Sequence, residues 1–251
     1  MHRTPSILIT GASGGIGRAT AIECAARGAR VGIHYNSNKQ AAQQLWDELP
    51  GDGHQIYRCD VTDPDAVERL IRQASVDMDG LDVLVNNAGI HERHGIDEIG
   101  YDTWQDCWRR IVATNLFGPA NLSFCAAGIM MERGRGRIVN VSSRGAFRGE
   151  PNMPWYGASK AGMNAMGQSM AQALGPRGIF VYTVAPGFVE TEMAREVLES
   201  AEGDAIRNQS TMGRVARPEE VARTICFLAF DAPEFMTGCI VDVNGASYLR
   251  S

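Results

Sequence analysis

The side chains with the clearest chemical potential are Tyr156 and Lys160, four residues apart, and Ser143, which precedes them in the chain. On a helix, residues i and i+4 share one face, so the phenol and the ammonium can approach the same small volume. A free tyrosine has a pKa of about 10 and exchanges protons poorly at neutral pH. A nearby cation lowers that pKa, so the spacing predicts a general acid/base at Tyr156, with Ser143 holding the substrate oxygen. If the spacing of Tyr156 and Lys160 were the only signal, an incidental pair on a helix surface would be the better interpretation.

These side chains need a framework, and the sequence pattern predicts one. Short apolar runs alternate with longer helical patterns along nearly the whole chain, which is typical of βαβ units around a parallel sheet. The predicted strands are Ile7–Thr10, Arg30–Tyr35, Gln55–Cys59, Val83–Asn86, Arg137–Ser142, Phe180–Ala185 and Ile240–Val243. The predicted helices are Gly15–Arg27, Lys39–Leu49, Pro64–Asp79, Thr103–Met131, Trp155–Leu174 and Pro218–Phe230. The prediction is one α/β domain over residues 1–251, a Rossmann-type doubly wound parallel sheet of about seven strands with helices on both faces.

Composition narrows the possible partners and the compartment. The chain has 251 residues, 44% of them hydrophobic, and a net charge of −5, which argues against nucleic acid or an anionic membrane as the main partner. Its six scattered cysteines favour reduced thiols in a cytoplasmic protein. The N-terminal apolar run at residues 7–9 is too brief for a signal peptide or a membrane span.

A glycine-rich loop lies between the first predicted strand and the first predicted helix, at Thr10-Gly-Ala-Ser-Gly-Gly-Ile-Gly17. Glycines let the backbone approach a pyrophosphate, and a helix N-terminus offers amide donors and a positive dipole end. Its position at the first strand–helix junction makes the dinucleotide interpretation strong. The residues expected to contact the cofactor are Gly11, Ser13, Gly14, Gly15, Ile16 and Gly17.

The end of the second predicted strand bears on which dinucleotide binds. NAD sites usually place an acidic residue there to hold the ribose hydroxyls. This chain has none between Tyr35 and Asn38, whereas Asn36, Ser37 and Lys39 could accommodate a 2′-phosphate. We therefore predict Tyr35, Asn36 and Ser37 at the cofactor and favour NADP(H), with NAD(H) left open because no arginine occurs at this strand end.

Several motifs occur together in one order: the glycine loop, Asp60-Val61, Asn86-Asn-Ala-Gly89, Ser143, Tyr156-x-x-x-Lys160 and Pro186-Gly187. In this set the chain resembles the short-chain dehydrogenase/reductase family over essentially its whole length, most closely its 3-oxoacyl-(acyl-carrier-protein) reductases. Adjacent glycines at positions 14 and 15 also fit the T-G-x-x-G-x-x-G pattern of longer relatives that act on nucleotide sugars. Only 64 residues follow Gly187, too few for the C-terminal substrate domain of those relatives.

The resemblance implies a role for each matching position. Tyr156 would transfer the proton, Lys160 would lower its pKa and bind the nicotinamide ribose, and Ser143 would hold the substrate oxygen. Asp60, followed by Val61, would meet the adenine amino group. The remaining cofactor positions would be Asn87, Ala88 and Gly89 along its length, and Pro186, Gly187, Val189 and Thr191 around the nicotinamide.

Asn115 completes the family's usual catalytic tetrad, and the local sequence supports it. Pro119 lies four residues on within a long helical pattern and has no N–H to bond the Asn115 carbonyl. With Gly118 beside it, a kink is expected, and a water on the freed carbonyl could relay protons to Lys160. The alternative is a kink that only curves the helix around the core.

Loops near the predicted site give weaker signals. Residues 188–213 interrupt the strand–helix alternation and contain a short helical stretch, Ala194–Ala201, so we predict a substrate lid there, with an ordinary surface excursion as the alternative. Arg144 and Arg148 could meet an acidic or phosphate-bearing substrate, although solvated loop charges are the default. His91 and His94 do not have zinc-site spacing, so no metal is predicted.

These patterns lead to one predicted activity with two alternatives. The predicted activity is NADP(H)-dependent interconversion of a carbonyl and an alcohol by hydride transfer, on a small molecule or an acyl thioester. The alternatives are an NAD-dependent sugar, polyol or steroid alcohol dehydrogenase, and a catalytically silent nucleotide-sensing protein. The family commonly assembles through the helix that carries Met163, Met166 and Met170, so we expect a homodimer or homotetramer, although core packing is the first interpretation of that stripe.

Overall fold

Short apolar runs form the seven strands of a single parallel sheet in the computed structural model, which describes residues 4–250. The strands are β1 (Ser6–Ile9), β2 (Arg30–Tyr35), β3 (Gln55–Arg58), β4 (Val83–Asn86), β5 (Gly136–Val141), β6 (Ile179–Pro186) and β7 (Ile240–Val243). β1 and β4 are buried at every position, as expected for central strands covered on both faces. All seven predicted strands are confirmed, with ends that differ by at most one residue.

The strand order across the sheet is β3-β2-β1-β4-β5-β6-β7. The chain therefore runs outward from β1 to β3 and then returns to the other side of β1 at β4. In such sheets ligands bind outside the carboxyl ends of the strands, where the order reverses. This topology places a binding crevice beyond the ends of β1 and β4.

The helices lie on both faces of the sheet, which confirms the predicted Rossmann-type doubly wound fold. They are α1 (Gly15–Ala26), α2 (Lys39–Glu48), α3 (Pro64–Asp77), α4 (Tyr101–Val112), α5 (Gly118–Glu132), α6 (Gly145–Arg148), α7 (Pro154–Leu174), α8 (Glu192–Glu199), α9 (Gly203–Arg207) and α10 (Pro218–Cys226). Alternation along β1 shows how the two layers are packed. Ile7 and Ile9 join the apolar core on one face of the sheet, and Leu8 joins the core on the other.

The predicted helix Thr103–Met131 is wrong as a single element. A π-helical turn, Ala113–Phe117, separates α4 from α5. In this turn the Gly118 amide donates to the Ala113 carbonyl, five residues back, and Pro119 follows without an amide hydrogen. The irregularity predicted from Gly118 and Pro119 therefore exists as a π turn, and Asn115 lies inside it.

Residues 188–213, which we call the lid segment, fold into more than the one short helix predicted. The segment contains α8 and α9, and its first residues are paired with the following chain through a parallel bridge between Val189 and Ala216. Ala194, Leu198 and Ile206 form a small apolar cluster separate from the sheet cores. The lid segment thus has its own small core.

Two further expectations can be compared with the described residues. On α7, Met163 is fully buried and Met170 packs against the sheet core, so this part of the methionine stripe serves core packing.

None of the helices within residues 4–250 combines the length and the apolar character needed to cross a bilayer.

Candidate active site

The glycine loop follows β1 and leads into α1 with the backbone geometry that its sequence predicts. Gly11 and Gly15 have φ angles of +63° and +52°, a region that side chains with a Cβ rarely adopt. A Cβ at Gly17 would lie 2.4 Å from the Gly11 carbonyl oxygen and 2.5 Å from Asn87 Nδ2. The loop is therefore closed tightly over the start of α1, against the residues that follow β4.

Side-chain hydrogen bonds join the ends of β1 and β4. Thr10 Oγ1 accepts from the amides of Asn87 and Ala88, at 3.0 Å each, and Asn87 Nδ2 donates to the Thr10 carbonyl at 2.8 Å. A Cβ at Gly89 would lie 3.4 Å from Lys160 Nζ. The segment after β4 is thereby held between the glycine loop and the lysine predicted to be catalytic.

His34 adds a third connection that the sequence interpretation did not include. It is buried in β2, its Nδ1 accepts from the Gly11 amide at 3.1 Å, and its Nε2 lies 3.0 Å from the Cys59 carbonyl. These partners select the neutral tautomer with the proton on Nε2, because an amide donates and a carbonyl accepts. Burial lowers the His34 pKa, which also favours the neutral ring.

Ser143 lies just beyond the end of β5. Its Oγ accepts from the Gly145 amide at 3.0 Å, which orients the hydroxyl. Trp155, in the first turn of α7, is fully buried and donates from Nε1 to the Glu92 carbonyl at 3.1 Å. The burial of Trp155 makes it an anchor for the start of α7, where Tyr156 is found.

The pKa of Tyr156 does not follow the expectation that Lys160 lowers it. Burial raises the Tyr156 pKa, and the opposing influence comes from a hydrogen bond with Ser143, while Glu150 adds to the rise. Lys160 Nζ lies 5.9 Å from the centre of the Tyr156 ring and donates to the Val141 carbonyl at 2.9 Å. The ammonium is thus engaged by the backbone of β5, and in this structure the phenol interacts most directly with Ser143.

Lys160 itself is buried in α7. Burial lowers its pKa to about 8 because the charged form loses hydration. At neutral pH the ammonium therefore still predominates, and the Val141 carbonyl provides an acceptor for one of its three hydrogens.

The Asn115 side chain is fully buried and occupied by the segment after β4. Its Oδ1 accepts from the Ile90 amide at 2.9 Å, and its Nδ2 donates to the Ile90 carbonyl at 2.8 Å. The amide group therefore fixes the loop beyond Gly89. Any role in proton relay falls to the backbone carbonyl of Asn115 within the π turn.

A cavity of about 600 Å³ connects these groups, within the range of ligand-binding clefts. Most of the predicted site residues line it: Gly11, Ser13, Gly14, Gly15, Ile16, Asn87, Ala88, Gly89, Ser143, Tyr156, Lys160, Pro186, Gly187, Val189 and Thr191. The other predicted residues lie outside its lining: Gly17, Tyr35, Asn36, Ser37, Asp60, Val61 and Asn115. Gly17 and Asn115 support the lining from behind, and the other five lie at the end of β2 or just after the ends of β2 and β3.

The opposite wall comes from the lid segment and from two loops of the body. Lid residues in the lining include Phe188, Met193 and Gln209, and the body contributes His91 and Arg144. His91 Nε2 lies 3.2 Å from the Met193 carbonyl, and its ring meets that of Tyr156 edge to face at 6.4 Å. These loops are thus brought together, but a pair such as His91 and Met193 is 102 residues apart in sequence, and no local pattern identifies it.

One cluster could have contradicted the prediction that no metal is bound. Glu92, His94 and Cys107 place potential ligand atoms within 4.8 Å of one another. The Glu92 carboxylate, however, already accepts from the Arg110 guanidinium at 2.7 Å. That ion pair supplies the positive charge the carboxylate requires, so the cluster has a structural explanation.

Comparison with known proteins agrees with this geometry. A family model described as enoyl-(acyl carrier protein) reductase matches residues 11–246. The chain is 36% identical to an acetoacetyl-CoA reductase from Rhizobium meliloti over 241 residues, which cover 96% of this chain and 97% of that protein. It is also 37% identical to a 3-oxoacyl-[acyl-carrier-protein] reductase from Vibrio cholerae over 242 residues, 96% of each chain.

The chain belongs to the short-chain dehydrogenase/reductase family. It is accordingly an NAD(P)-dependent oxidoreductase acting on carbonyl and alcohol groups, as predicted. The observed loop fits a nicotinamide dinucleotide, since no side chain caps the start of α1 at Gly14, where the first backbone amides of the helix can meet a pyrophosphate. Gly89 also has no side chain, and a Cβ there would lie 3.4 Å from Lys160 Nζ.

Proposed function

We propose that the protein is an NADP(H)-dependent carbonyl reductase of the 3-oxoacyl reductase type, with Tyr156 as general acid/base. The observation that carries the proposal is the meeting of Ser143, Tyr156 and Lys160 in one cavity with the glycine loop. Relatives named acetoacetyl-CoA reductase and 3-oxoacyl-[acyl-carrier-protein] reductase support a 3-oxoacyl substrate. A catalytically silent sensor would have no need of this proton-transfer group.

A nicotinamide cofactor bound at the glycine loop would supply the hydride for the carbonyl carbon in this mechanism. The Ser143 hydroxyl donates a hydrogen bond to the carbonyl oxygen, and Tyr156 gives that oxygen a proton as the alcohol forms. The hydrogen bond between Ser143 and Tyr156 supports a role in which both groups contact one carbonyl oxygen. The Lys160 ammonium lies 5.9 Å from the centre of the Tyr156 ring and would hold the nicotinamide ribose of the bound cofactor.

The preference for NADP(H) is supported by the end of β2. Asn36 and Ser37 are exposed, and there is no carboxylate between Tyr35 and Asn38 to repel a 2′-phosphate. Asn38 caps α2 by accepting from the Ala41 amide, which leaves Asn36 and Ser37 as the free polar side chains of this turn.

Assembly and compartment are proposals of the same kind. Phe117 and Phe124, on the π turn and α5, are 60% and 78% exposed, which favours a homodimer or homotetramer with these helices covered.

All six cysteines are free, which supports a cytoplasmic location. We also propose that the lid segment closes over the substrate, because it supplies one wall of the cavity.

Absorbance at the reduced-nicotinamide band tests the proposal. The purified protein is expected to oxidise NADPH in preference to NADH in the presence of a 3-oxoacyl thioester or a simple diketone. Tyr156→Phe should lower kcat by at least about 10²–10⁴-fold while NADPH still binds, since general acid–base catalysis contributes about that much.

Three results would contradict parts of the proposal. Near-normal turnover in Tyr156→Phe would remove the tyrosine from its role. Tighter binding of NADH than of NADPH would favour the sugar, polyol or steroid alcohol dehydrogenases. No turnover with any carbonyl or alcohol, despite cofactor binding, would favour the sensor.

A further inference from the structure

Arg144 directly follows Ser143 and is the most unusual charged residue in the cavity wall. Its side chain is only 3% exposed although it ends in a guanidinium. Its backbone amide donates to the Pro186 carbonyl at 2.9 Å, and its carbonyl accepts from the Phe147 amide at 3.0 Å. The backbone of Arg144 is thus fixed beside the catalytic serine, and its charge is buried there.

The partner of this buried cation is a neutral group. Arg144 Nη2 donates to Gln209 Oε1 at 2.5 Å, and Arg148 Nη1 donates to the same oxygen at 3.2 Å. Two guanidinium groups therefore converge on one amide oxygen of the lid segment. Within residues 4–250, neither arginine forms an ion pair with a carboxylate. Buried charges are normally paired with an opposite charge, so the positive charge at this point lacks its usual counterpart.

The other groups around Arg144 do not supply that counterpart. Its guanidinium carbon lies 5.1 Å from the centre of the Phe188 ring. Burial and Arg148 lower the Arg144 pKa, and Glu150 opposes the lowering without contacting the guanidinium. Of the other acids in the cavity lining, Glu202 is paired with Arg93, and Glu192 lies in the first turn of α8.

We propose that Arg144 binds a carboxylate of the substrate, so that the preferred substrate is an oxo acid whose free carboxylate lies a few bonds from the reacting carbonyl. The proposal rests on the proposed carbonyl reduction at Ser143 and Tyr156. Because Ser143 and Arg144 both line the cavity, one small molecule can contact both side chains. A planar guanidinium suits a carboxylate, which it can bind through two parallel hydrogen bonds.

The position of Arg144 separates this anion from the phosphates of the cofactor. The pyrophosphate is expected at the glycine loop and the 2′-phosphate at the end of β2, whereas Arg144 follows β5 and contacts the lid segment. A neutral ester or thioester at the same carbonyl would leave the Arg144 charge unpaired. The inference therefore makes free 3-oxo acids the preferred substrates within the 3-oxoacyl class.

The test compares 3-oxobutanoate with its methyl ester and its coenzyme A thioester in the full-length protein with NADPH. The wild-type protein is expected to reduce the free acid with a kcat/KM at least about 30-fold higher than that of the methyl ester, because leaving a buried charge unpaired is that costly. Arg144→Met should remove this preference by lowering kcat/KM for the acid alone. Arg144→Lys should restore part of it, since the charge is kept and the planar fork is lost.

Arg148→Gln is the matched control. It removes an exposed guanidinium that donates to the same Gln209 oxygen, so it should change the acid-to-ester ratio by no more than about fivefold. If Arg148→Gln and Arg144→Met lower the ratio equally, the proposal is wrong, because the effect would then be one of general positive charge.

A binding measurement separates this proposal from the proposed function. Butanoate, which has no reacting carbonyl, is titrated by calorimetry into wild-type protein and Arg144→Met, with methyl butanoate as the neutral control. Butanoate binding that requires Arg144 supports the carboxylate site even if no carbonyl compound is reduced. Reduction of the ester or the thioester as efficiently as the acid, with no butanoate binding, overturns the carboxylate site and leaves carbonyl reduction standing.

Discussion

On one side of the cavity, the segments after β1, β2 and β4 are joined by buried or half-buried groups: Thr10, His34 and Asn87 each bond the backbone of a neighbouring segment. On the other side, the lid segment meets the body partly through exposed contacts, between His91 and Met193 and between Arg93 and Glu202, and partly through the half-buried contact of Gln209 with Arg144. We call the first side the strand-end wall, defined by residues 10–17 and 86–90. Its bonds are made to backbone, which can shift only at a high cost, whereas we expect the exposed side-chain contacts of the lid segment to be exchanged for water more readily.

This difference matches the division of chemistry between the two walls. The strand-end wall faces the part of the cavity assigned to the cofactor. The cofactor is the same molecule in every turnover, so this wall does not need to adapt. Apart from Val189 and Thr191, which are assigned to the nicotinamide, the lid segment and Arg144 face the part assigned to the substrate, where specificity has to be adjusted. Four predictions test the comparison, from the largest expected effect to the smallest.

Gly17→Ala should cause the largest loss. The new Cβ would lie 2.4 Å from the Gly11 carbonyl oxygen, which is backbone and cannot rotate away, so the glycine loop must move. We expect a loss of about 1–3 kcal/mol in the free energy of unfolding, measured by urea denaturation, and an NADPH dissociation constant raised at least about tenfold.

Gly128→Ala in α5 is the matched control, because no atom lies within 4 Å of its ideal Cβ position. It should stabilise the protein by about 0.5–1 kcal/mol and leave NADPH binding unchanged, as for an ordinary glycine within a helix. Equal effects of the two substitutions would show that the strand-end wall is no more rigid than a helix surface.

Pro119→Ala should have a moderate effect on catalysis. It restores an amide hydrogen four residues after Asn115, so the π turn can relax towards α geometry and occupy the Asn115 carbonyl. If that carbonyl holds a water that relays protons to Lys160, kcat should fall about tenfold while the urea midpoint stays the same or rises. Full activity in this well-folded variant would mean that the π turn only shapes the helix.

The fold was predictable because the information for it is local. Strands such as β1 and β4 are short apolar runs, and the glycine loop is marked by residues that permit positive φ angles. The exception was Thr103–Met131, where Gly118 and Pro119 indicated an irregularity but helical periodicity continued through it. A π turn adds one residue to a helix, and the apolar pattern of the sequence does not show at which position that residue is inserted.

The candidate site was predictable on one wall only. Ser143 and Tyr156 follow β5 and begin α7, so their positions depend on neighbouring elements. The contact of Arg144 with Gln209 joins residues 65 positions apart, and that of His91 with Met193 joins residues 102 apart. Burial of Arg144 also depends on how the lid segment folds, which is why its charge could equally be interpreted from sequence as a solvated loop residue.

His34 should give the strand-end wall a modest pH dependence. Its pKa in the folded protein is lowered by burial, so the unfolded chain binds the proton more tightly. Stability should therefore fall as the pH drops below about 6.5, the usual histidine pKa, towards the lower value in the folded state. Urea denaturation at pH 7.5 and pH 5.5 should show a smaller loss in His34→Gln than in the wild type, and equal losses would remove His34 from this role.

Glu202→Gln should have the smallest effect, because it removes an exposed contact of the lid segment. Glu202 pairs with Arg93 at 3.0 Å, with side chains 61% and 36% exposed, and such pairs contribute little to stability. The thermal midpoint should be unchanged, while KM for the substrate rises by no more than about fivefold because the lid segment closes less readily. Added salt should raise KM in the wild type and leave the variant almost unaffected, since the screened ion pair is already absent there. A large fall in the thermal midpoint would show that the lid segment is as firmly fixed to the body as the strand-end wall.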